Sequence, residues 1–186
     1  MNKLVSARLF LRRLQQKNVS LKYVDWLNNP LVNKFLEARH VHWDLNSAAK
    51  FVEAKSLKTN EFLYGIFLHD ACKHIGNINI GPVHEFHPVA PMSLLIGDST
   101  EWGKGYASEA IEIICRFGFE DLDLQKITAG MYALNVPSIR AFEKAGFARE
   151  GHLRCHRLFE GRMVDAYQYS LLRGEWRRLD NLETKA

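Results

Sequence analysis

The segment that most constrains this chain is E-W-G-K-G-Y-A-S-E-A, residues 101–110, because it sets two glycines between an apolar run and the start of an amphipathic helix. Ahead of it, Met92 to Ile96 reads as a buried strand. Behind it, Ala107, Ala110, Ile111, Ile114 and Cys115 recur at helical spacing and form one apolar stripe. A strand, a glycine turn and a helix in succession point to an α/β arrangement and build an anion site. The N–H groups of a helix's first turn lack intrahelical partners and lie at the positive end of its dipole, and glycines let a phosphate come close. Gly103, Lys104, Gly105, Tyr106 and Ala107 are the expected donors. The segment is neither a Walker A loop, since Lys104 is followed by Gly105, nor G-x-G-x-x-G, since Ser108 stands at the third glycine position. Taken alone, such a turn more often only redirects the chain.

The flanking sequence extends the α/β pattern. Residues 8 to 14 alternate as a strand does, and Leu21, Val24 and Leu27 have helical spacing within Asn18 to Asn28. Asn46 or Ser47 is placed to cap a second helix bearing Ala48, Phe51 and Val52. Phe62 to His69 and His74 to Gly81 read as a hairpin around the turn at Asp70 to Lys73, and the 81–91 segment is rich in turn residues. After the central helix come a strand over Lys126 to Ala133, a helix capped by Asn135 with Pro137 in its first turn and Gly146 at its end, and strands near Phe147 to Leu153 and Met163 to Leu172. The predicted order is β-α-α-β-β-β-α-β-α-β-β, an α/β domain with a mixed sheet.

N-V-P-S-I-R-A-F-E-K-A-G-F, residues 135–147, adds the second half of a pattern. With W-G-K-G-Y-A-S-E-A it resembles the GNAT superfamily of N-acetyltransferases, in particular the RimJ/RimL-like branch. The likeness spans most of the chain and is most specific from Met92 to Leu153. It implies a single domain over residues 1–186, α/β, with a central mixed, mostly antiparallel sheet flanked by helices and a cofactor-binding core at about 92–153. It also implies acetyl-CoA as co-substrate, with direct transfer to a primary amine. The family's Q/R-x-x-G-x-G/A loop, which cradles the coenzyme A diphosphate, falls on Trp102, Gly103, Lys104, Gly105, Tyr106 and Ala107; Trp102 departs from Gln or Arg and removes one polar contact. Leu94, Leu95 and Ile96 are expected to hydrogen-bond the pantetheine arm as an added strand would, with Ile127 to Ala133 splayed away and a main-chain amide facing the thioester oxygen. Asn135 and Ser138 are implied as the other half of the cofactor site, a role compatible with helix capping. Phe142 stands where many members carry a tyrosine that protonates the leaving thiolate. Ser138, Tyr132 or a water are then the candidate acids, with Tyr132 equally readable as a packing aromatic. The candidate base comes from His84 and His87, with Glu85 between them, or from the stretch holding Glu37, Arg39, His40 and His42.

L-N-N-P-L-V-N-K-F-L-E-A-R-H and H-I-G-N-I-N-I-G-P-V-H are similar to segments of GNAT proteins associated with surface-polysaccharide biosynthesis. The acceptor implied is a small molecule, a nucleotide-linked amino sugar, met by Glu37, Arg39 and His40. A protein N-terminus and a non-catalytic acyl-CoA-binding domain are the alternatives, and the acidic residues are too few for a polyamine site. Cys115 lies on the buried helix stripe, where a thiol is a poor nucleophile, so no acetyl-cysteine route is expected. His84 and His87 lack a third ligand at sensible spacing, so no metal is expected. The net charge of +4 is dispersed, and the basic run Arg173 to Arg178 reads as a solvated terminus, so nucleic acid is not an expected partner. Arginines interrupt the apolar residues of M-N-K-L-V-S-A-R-L-F-L-R-R-L, and no apolar stretch suits a membrane span. Three dispersed cysteines fit a cytoplasmic protein. The resemblance is compatible with a homodimer.

Overall fold

The computed structural model describes residues 4–70 and 72–177. Strands β1 (Leu4–Val5), β2 (Leu9–Arg13), β3 (Phe62–Leu68), β4 (His74–Ile80), β5 (Val89–Ile96), β6 (Lys126–Tyr132), β7 (Ala148–Phe159) and β8 (Arg162–Leu172) form one sheet in the order β1-β2-β3-β4-β5-β6-β8-β7. Every neighbouring pair is antiparallel except β5 and β6. The helices are α1 (Leu21–Asn28), α2 (Pro30–Asn33), α3 (Leu45–Ser56), α4 (Tyr106–Glu120) and α5 (Val136–Lys144), with 3-10 turns at Gln16–Asn18, Glu37–His40 and Ser99–Glu101. The α/β class and the mixed, mostly antiparallel sheet are as the sequence predicts. No helix among the described residues is long and apolar enough to cross a membrane.

Two cores lie against the sheet. The larger joins Ile66, Ile78 and Ile80 of the strands to Ile111, Ile114, Cys115 and Phe119 of α4; the smaller joins Leu63 to Tyr23, Val24, Trp26 and Leu27 of α1 and to Ala48 and Val52 of α3. Strand alternation sends neighbouring residues to opposite cores. Leu63 and Tyr64 illustrate this, one in each. Gly97, just past β5, is required by close approach, since a Cβ there would lie 2.0 Å from the ring of Trp26.

Strand β1 and the short helix α2 have no counterpart in the predicted order, and three boundaries differ from the expectation. Helix α3 is capped by Asp44 rather than Asn46 or Ser47: its carboxylate accepts the Ser47 N–H at 2.7 Å while the Ser47 hydroxyl oxygen accepts the Asp44 N–H at 2.9 Å, a reciprocal box that starts the helix earlier. Strand β5 begins at Val89, because Val89, Ala90 and Pro91 pair with Lys126, Ile127 and Thr128. Strands β7 and β8 run on past Leu153 and Met163 into a long hairpin turned by Glu160 and Gly161, both at positive φ. That extension is largely exposed and carries no hydrophobic alternation, so only cross-strand bonding marks it as strand. The basic run beginning at Arg173 leaves the described residues at Arg178; Arg173 itself bonds Asp123 and the Phe119 carbonyl.

Candidate active site

The site starts from an interruption in the sheet. β5 and β6 pair in parallel only as far as Pro91 and Thr128. Beyond that point β5 continues to Ile96 paired with β4 alone, and β6 to Tyr132 paired with β8 alone. Gly97 donates its N–H to the Ile75 carbonyl at 2.9 Å, which fixes the alternation along β5. The main-chain groups of Met92, Leu94 and Ile96 therefore face the gap rather than β4. An amide-bearing chain fits such an edge as an extra strand would, because its own donors and acceptors repeat at strand spacing.

At the open end of the gap the glycine turn opens α4. Gly103 and Gly105 have φ of +75° and +83°, and Gly105 is the N-cap, so the first-turn amides of α4 stand without a side-chain cap. Trp102, 45% exposed, donates its indole N–H to the Ile96 carbonyl at 2.7 Å and ties the loop to the end of β5. Lys104 is paired with the buried Glu101 at 2.8 Å, so it offers the loop its main chain rather than a free charge. Arg8, which the sequence reading passed over, clamps the turn. Its guanidinium bonds Glu109 and the Lys104 carbonyl and stacks 4.6 Å from the Tyr106 ring centre. Burial raises the Glu109 carboxyl, but bonds from Ser6 and Arg8 outweigh it and hold it below its ordinary value, leaving it anionic.

Helix α5 flanks the other side. Asn135 caps it by accepting the Ser138 N–H at 3.4 Å. Ser138 lines the cavity with a hydroxyl that has no hydrogen-bond partner in the described protein. Phe142 is buried against Phe147 and also lines the cavity, with no proton to give. Cys115 is buried, and burial pushes its thiol up, as its place on the helix stripe predicts.

The gap opens into a cavity of about 520 Å³ that runs under α1, α3 and the Glu37–His40 turn, within the roughly 300–1,000 Å³ usual for small-molecule sites. Its floor is the sheet face carrying Leu63, Asn77, Asn79, Ser93 and Leu95, and its apolar walls include Tyr23, Trp43 and Phe51. Glu37 lines it and accepts hydrogen bonds from the Tyr132 hydroxyl and from Arg157, both at 3.2 Å. Arg39 donates to the Tyr132 oxygen at 3.0 Å and to the Leu158 carbonyl, and Phe159 stacks on Phe35 with ring centres 5.2 Å apart. The β7–β8 hairpin thus closes one rim. Burial and the neighbouring Glu37 raise the Tyr132 hydroxyl above its ordinary value, so it stays protonated at neutral pH.

The structure brings Leu94, Leu95, Tyr132, Asn135, Ser138, Phe142 and Glu37 to one cavity. Ile96 ends the strand beside it, and Arg39 reaches it through Tyr132. His40 stays at the exposed rim, 3.9 Å from Glu37. His84 and His87 are not brought there. They stack on one another at 4.5 Å on the loop before β5, where β5 and β6 are still paired, and the His84 Nδ1 accepts the Phe86 and His87 N–H groups. Glu85 shares that loop, so this base candidate loses its geometric support. The site residues not anticipated are Arg8, Asn77, Asn79 and Arg157. For the asparagines a signal existed: N-I-N-I in β4 places two amides on one face of a strand that is otherwise buried.

A parallel strand pair that splays beside a glycine-opened helix, with a cavity at the gap, offers an open strand edge to an amide-bearing chain and uncapped first-turn N–H groups to an anion. Residues 8–148 match the family model described as an acetyltransferase (GNAT) domain, and the chain belongs to that family of N-acetyltransferases. It is 28% identical over 179 residues to an uncharacterized N-acetyltransferase of Bacillus licheniformis, covering 95% of this chain and 99% of the relative, and 25% identical over 178 residues to a spermidine N(1)-acetyltransferase of Vibrio cholerae, covering 92% and 97%. Among solved structures, the fold matches a GNAT-family acetyltransferase from Bacillus anthracis with a TM-score of 0.80 at 23% identity, covering 94% of this chain and all of that one. It also matches a spermidine N-acetyltransferase from Vibrio cholerae in complex with CoA and spermine with a TM-score of 0.82 at 20% identity, covering 92% and 99%.

Proposed function

We propose that this chain, a single domain of the RimJ/RimL-like branch working in the cytosol, transfers the acetyl group of acetyl-CoA directly to a primary amine of a small molecule. The observation that carries this reading is the continuity of the gap beside Leu94 with the Glu37-lined cavity, which lets an amine meet a thioester laid along β5. The loop from Gly103 to Ala107 holds the diphosphate with main-chain N–H groups, and the Leu94 and Ile96 edge holds the pantetheine amides.

An ammonium must lose a proton before it can attack. Glu37, the one carboxylate lining the cavity among the described residues, takes that proton directly or through water. The amine nitrogen bonds to the acetyl carbon, the main-chain amides facing the gap stabilise the oxyanion, and the carbon–sulfur bond then breaks. The thiolate takes a proton from the Ser138 hydroxyl as that hydroxyl takes one from water, and the water takes the second proton of the former amine nitrogen, so no alkoxide, hydroxide or N-protonated amide remains. Ser138 suits this relay better than Tyr132, whose hydroxyl is already committed to Glu37 and Arg39.

The acceptor we favour is an amino sugar, with any attached nucleotide outside the cavity near His40, since Arg39 is already engaged. A polyamine is the second reading, favoured by the relationship to the Vibrio cholerae spermidine enzyme. Charge opposes it, because Glu37 is matched by Arg157 and Lys55 by Glu61, leaving no surplus of negative charge for a polycation. Thiol release from acetyl-CoA, measured with amino sugars, peptides and polyamines, tests the reading; tight coenzyme A binding with no release for any amine would overturn it.

A further inference from the structure

Two amides on the cavity floor are locked in opposite senses. The imidazole Nε2 of His74 lies 2.9 Å from both the Gly76 carbonyl oxygen and the Asn77 Oδ1. A carbonyl only accepts, so Nε2 carries the proton, Asn77 Oδ1 is the acceptor, and the orientation of the amide follows. The Asn77 Nδ2, on a side chain in a residue only 6% exposed, is left without a partner in the described protein and lines the cavity. Asn79 is locked the other way. Its Nδ2 donates to Glu61 Oε1 at 3.2 Å and to the Gly81 carbonyl at 3.3 Å, both acceptors, which leaves its Oδ1 as a buried oxygen with no partner.

The cavity floor therefore presents one fixed donor, the Asn77 N–H, whereas the Asn79 Oδ1 is sealed from solvent and does not open onto it. An unpaired polar group on a largely buried residue is costly, and a native protein that keeps one on a cavity floor has it ready for a ligand. His74 holds its amide rigidly, being stacked 4.7 Å from Phe67 and set edge-on to Trp26 at 5.0 Å. The Trp43 and Phe51 rings, 5.5 Å apart, form part of the wall of the same cavity. Trp43 spends its indole N–H on the Ala38 carbonyl at 2.9 Å, so this wall offers apolar contact.

We propose that Asn77 selects an acceptor whose amine is borne on an uncharged, hydroxylated ring. A ring hydroxyl accepts from the Asn77 N–H while the C–H face of the ring packs on the aromatic wall. A polyamine fails this test. Its ammonium groups only donate, leaving the Asn77 N–H unpaired. The inference rests on the acetyltransferase reading and names its acceptor class.

The test measures thiol release by the full chain with glucosamine, a UDP-linked amino sugar, cyclohexylamine and spermidine. Loss of hydroxyl recognition by a site built for it costs far more than loss of apolar contact, so a hydroxylated amine is expected to exceed cyclohexylamine and spermidine by about 10-fold or more in kcat/KM. Turnover of either sugar supports the proposal, and which one reacts shows whether the ring enters free or nucleotide-linked. Asn77→Asp keeps the oxygen that His74 holds and turns the cavity-facing donor into a charged acceptor. It is expected to reverse the preference toward spermidine, and Asn77→Leu to lower the sugar-to-cyclohexylamine ratio by about 10-fold. Coenzyme A binding reports that each variant is folded. Acetylation of spermidine or cyclohexylamine as well as or better than the sugars by the natural chain, or a ratio unmoved in both folded variants, overturns the inference alone. No thiol release with any amine overturns the acetyltransferase reading itself, and the inference with it.

Discussion

Gly105 separates the two jobs of the glycine turn, shaping the backbone and leaving room for charge. Its φ is +83°, and a Cβ built there meets nothing nearer than the Arg8 guanidinium at 3.5 Å. Gly105→Ala therefore adds no clash, and its cost is conformational, about 1–2 kcal/mol for an L-residue in the left-handed region. If the loop relaxes to shed that strain, coenzyme A affinity falls by about 5–30-fold. Gly105→Glu carries the same backbone cost and sets a carboxylate beside the diphosphate. Like charges 4 Å apart repel by about 1 kcal/mol in water and about 4 kcal/mol at a surface-type dielectric near 20, so a further loss of at least about 2 kcal/mol follows for two phosphate charges. The expected total is about 10²–10³-fold. Calorimetric titration of coenzyme A in low and high salt measures both parts: in about 1 M salt, where the screening length is about 3 Å, the Glu variant should regain much of its extra loss and the Ala variant little. A Glu variant that binds coenzyme A within threefold of the natural chain would falsify the loop assignment.

Two more outcomes follow from the site and its supports. Ser138→Ala is expected to lower kcat by about 10²-fold with little change in KM for acetyl-CoA, whereas Tyr132→Phe, which releases Glu37 and Arg39, should mainly raise the acceptor KM; steady-state kinetics with each substrate varied distinguishes these, and an unimpaired kcat for Ser138→Ala removes the relay. Burial alone would raise the Asp98 carboxyl, but bonds from Lys22, Thr100 and Lys73 outweigh it and hold the group well below its ordinary value. Its stabilisation is therefore complete above about pH 4 and is lost as pH falls toward the depressed folded value. Asp98→Asn should cost about 1–2 kcal/mol at pH 7, discounted for the part-exposed lysines, and the gap between the two denaturation curves should narrow below about pH 4; a gap that stays constant to pH 2 would contradict the ion-pair account.

Local sequence determined a great deal. The apolar stripe of α4, the glycines at 103 and 105, the Asn135 cap and the alternating strands each act through near neighbours, by periodicity or by a backbone conformation that only certain residues adopt, and so they are readable from a short window. The glycine turn and the Asn135-capped helix that flank the gap were legible for that reason, and Glu37, named from its own stretch, lines the cavity. The His84 and His87 pair misled because sequence does not say at which end of β5 its pairing with β6 lapses, and these residues precede the end that is still paired.

The tertiary structure decided where the parallel pairing of β5 and β6 stops, which follows from the packing of whole strands rather than from any one segment. It joined Arg8 to the glycine turn across 96 positions of sequence and Arg157 to Glu37 across 120, contacts with no local signature. It also fixed the sense of the Asn77 and Asn79 amides. Their alternation in β4 is written in the sequence, but which atom of each amide is left free depends on His74, Glu61 and Gly81, and only the folded chain brings those partners within hydrogen-bonding range.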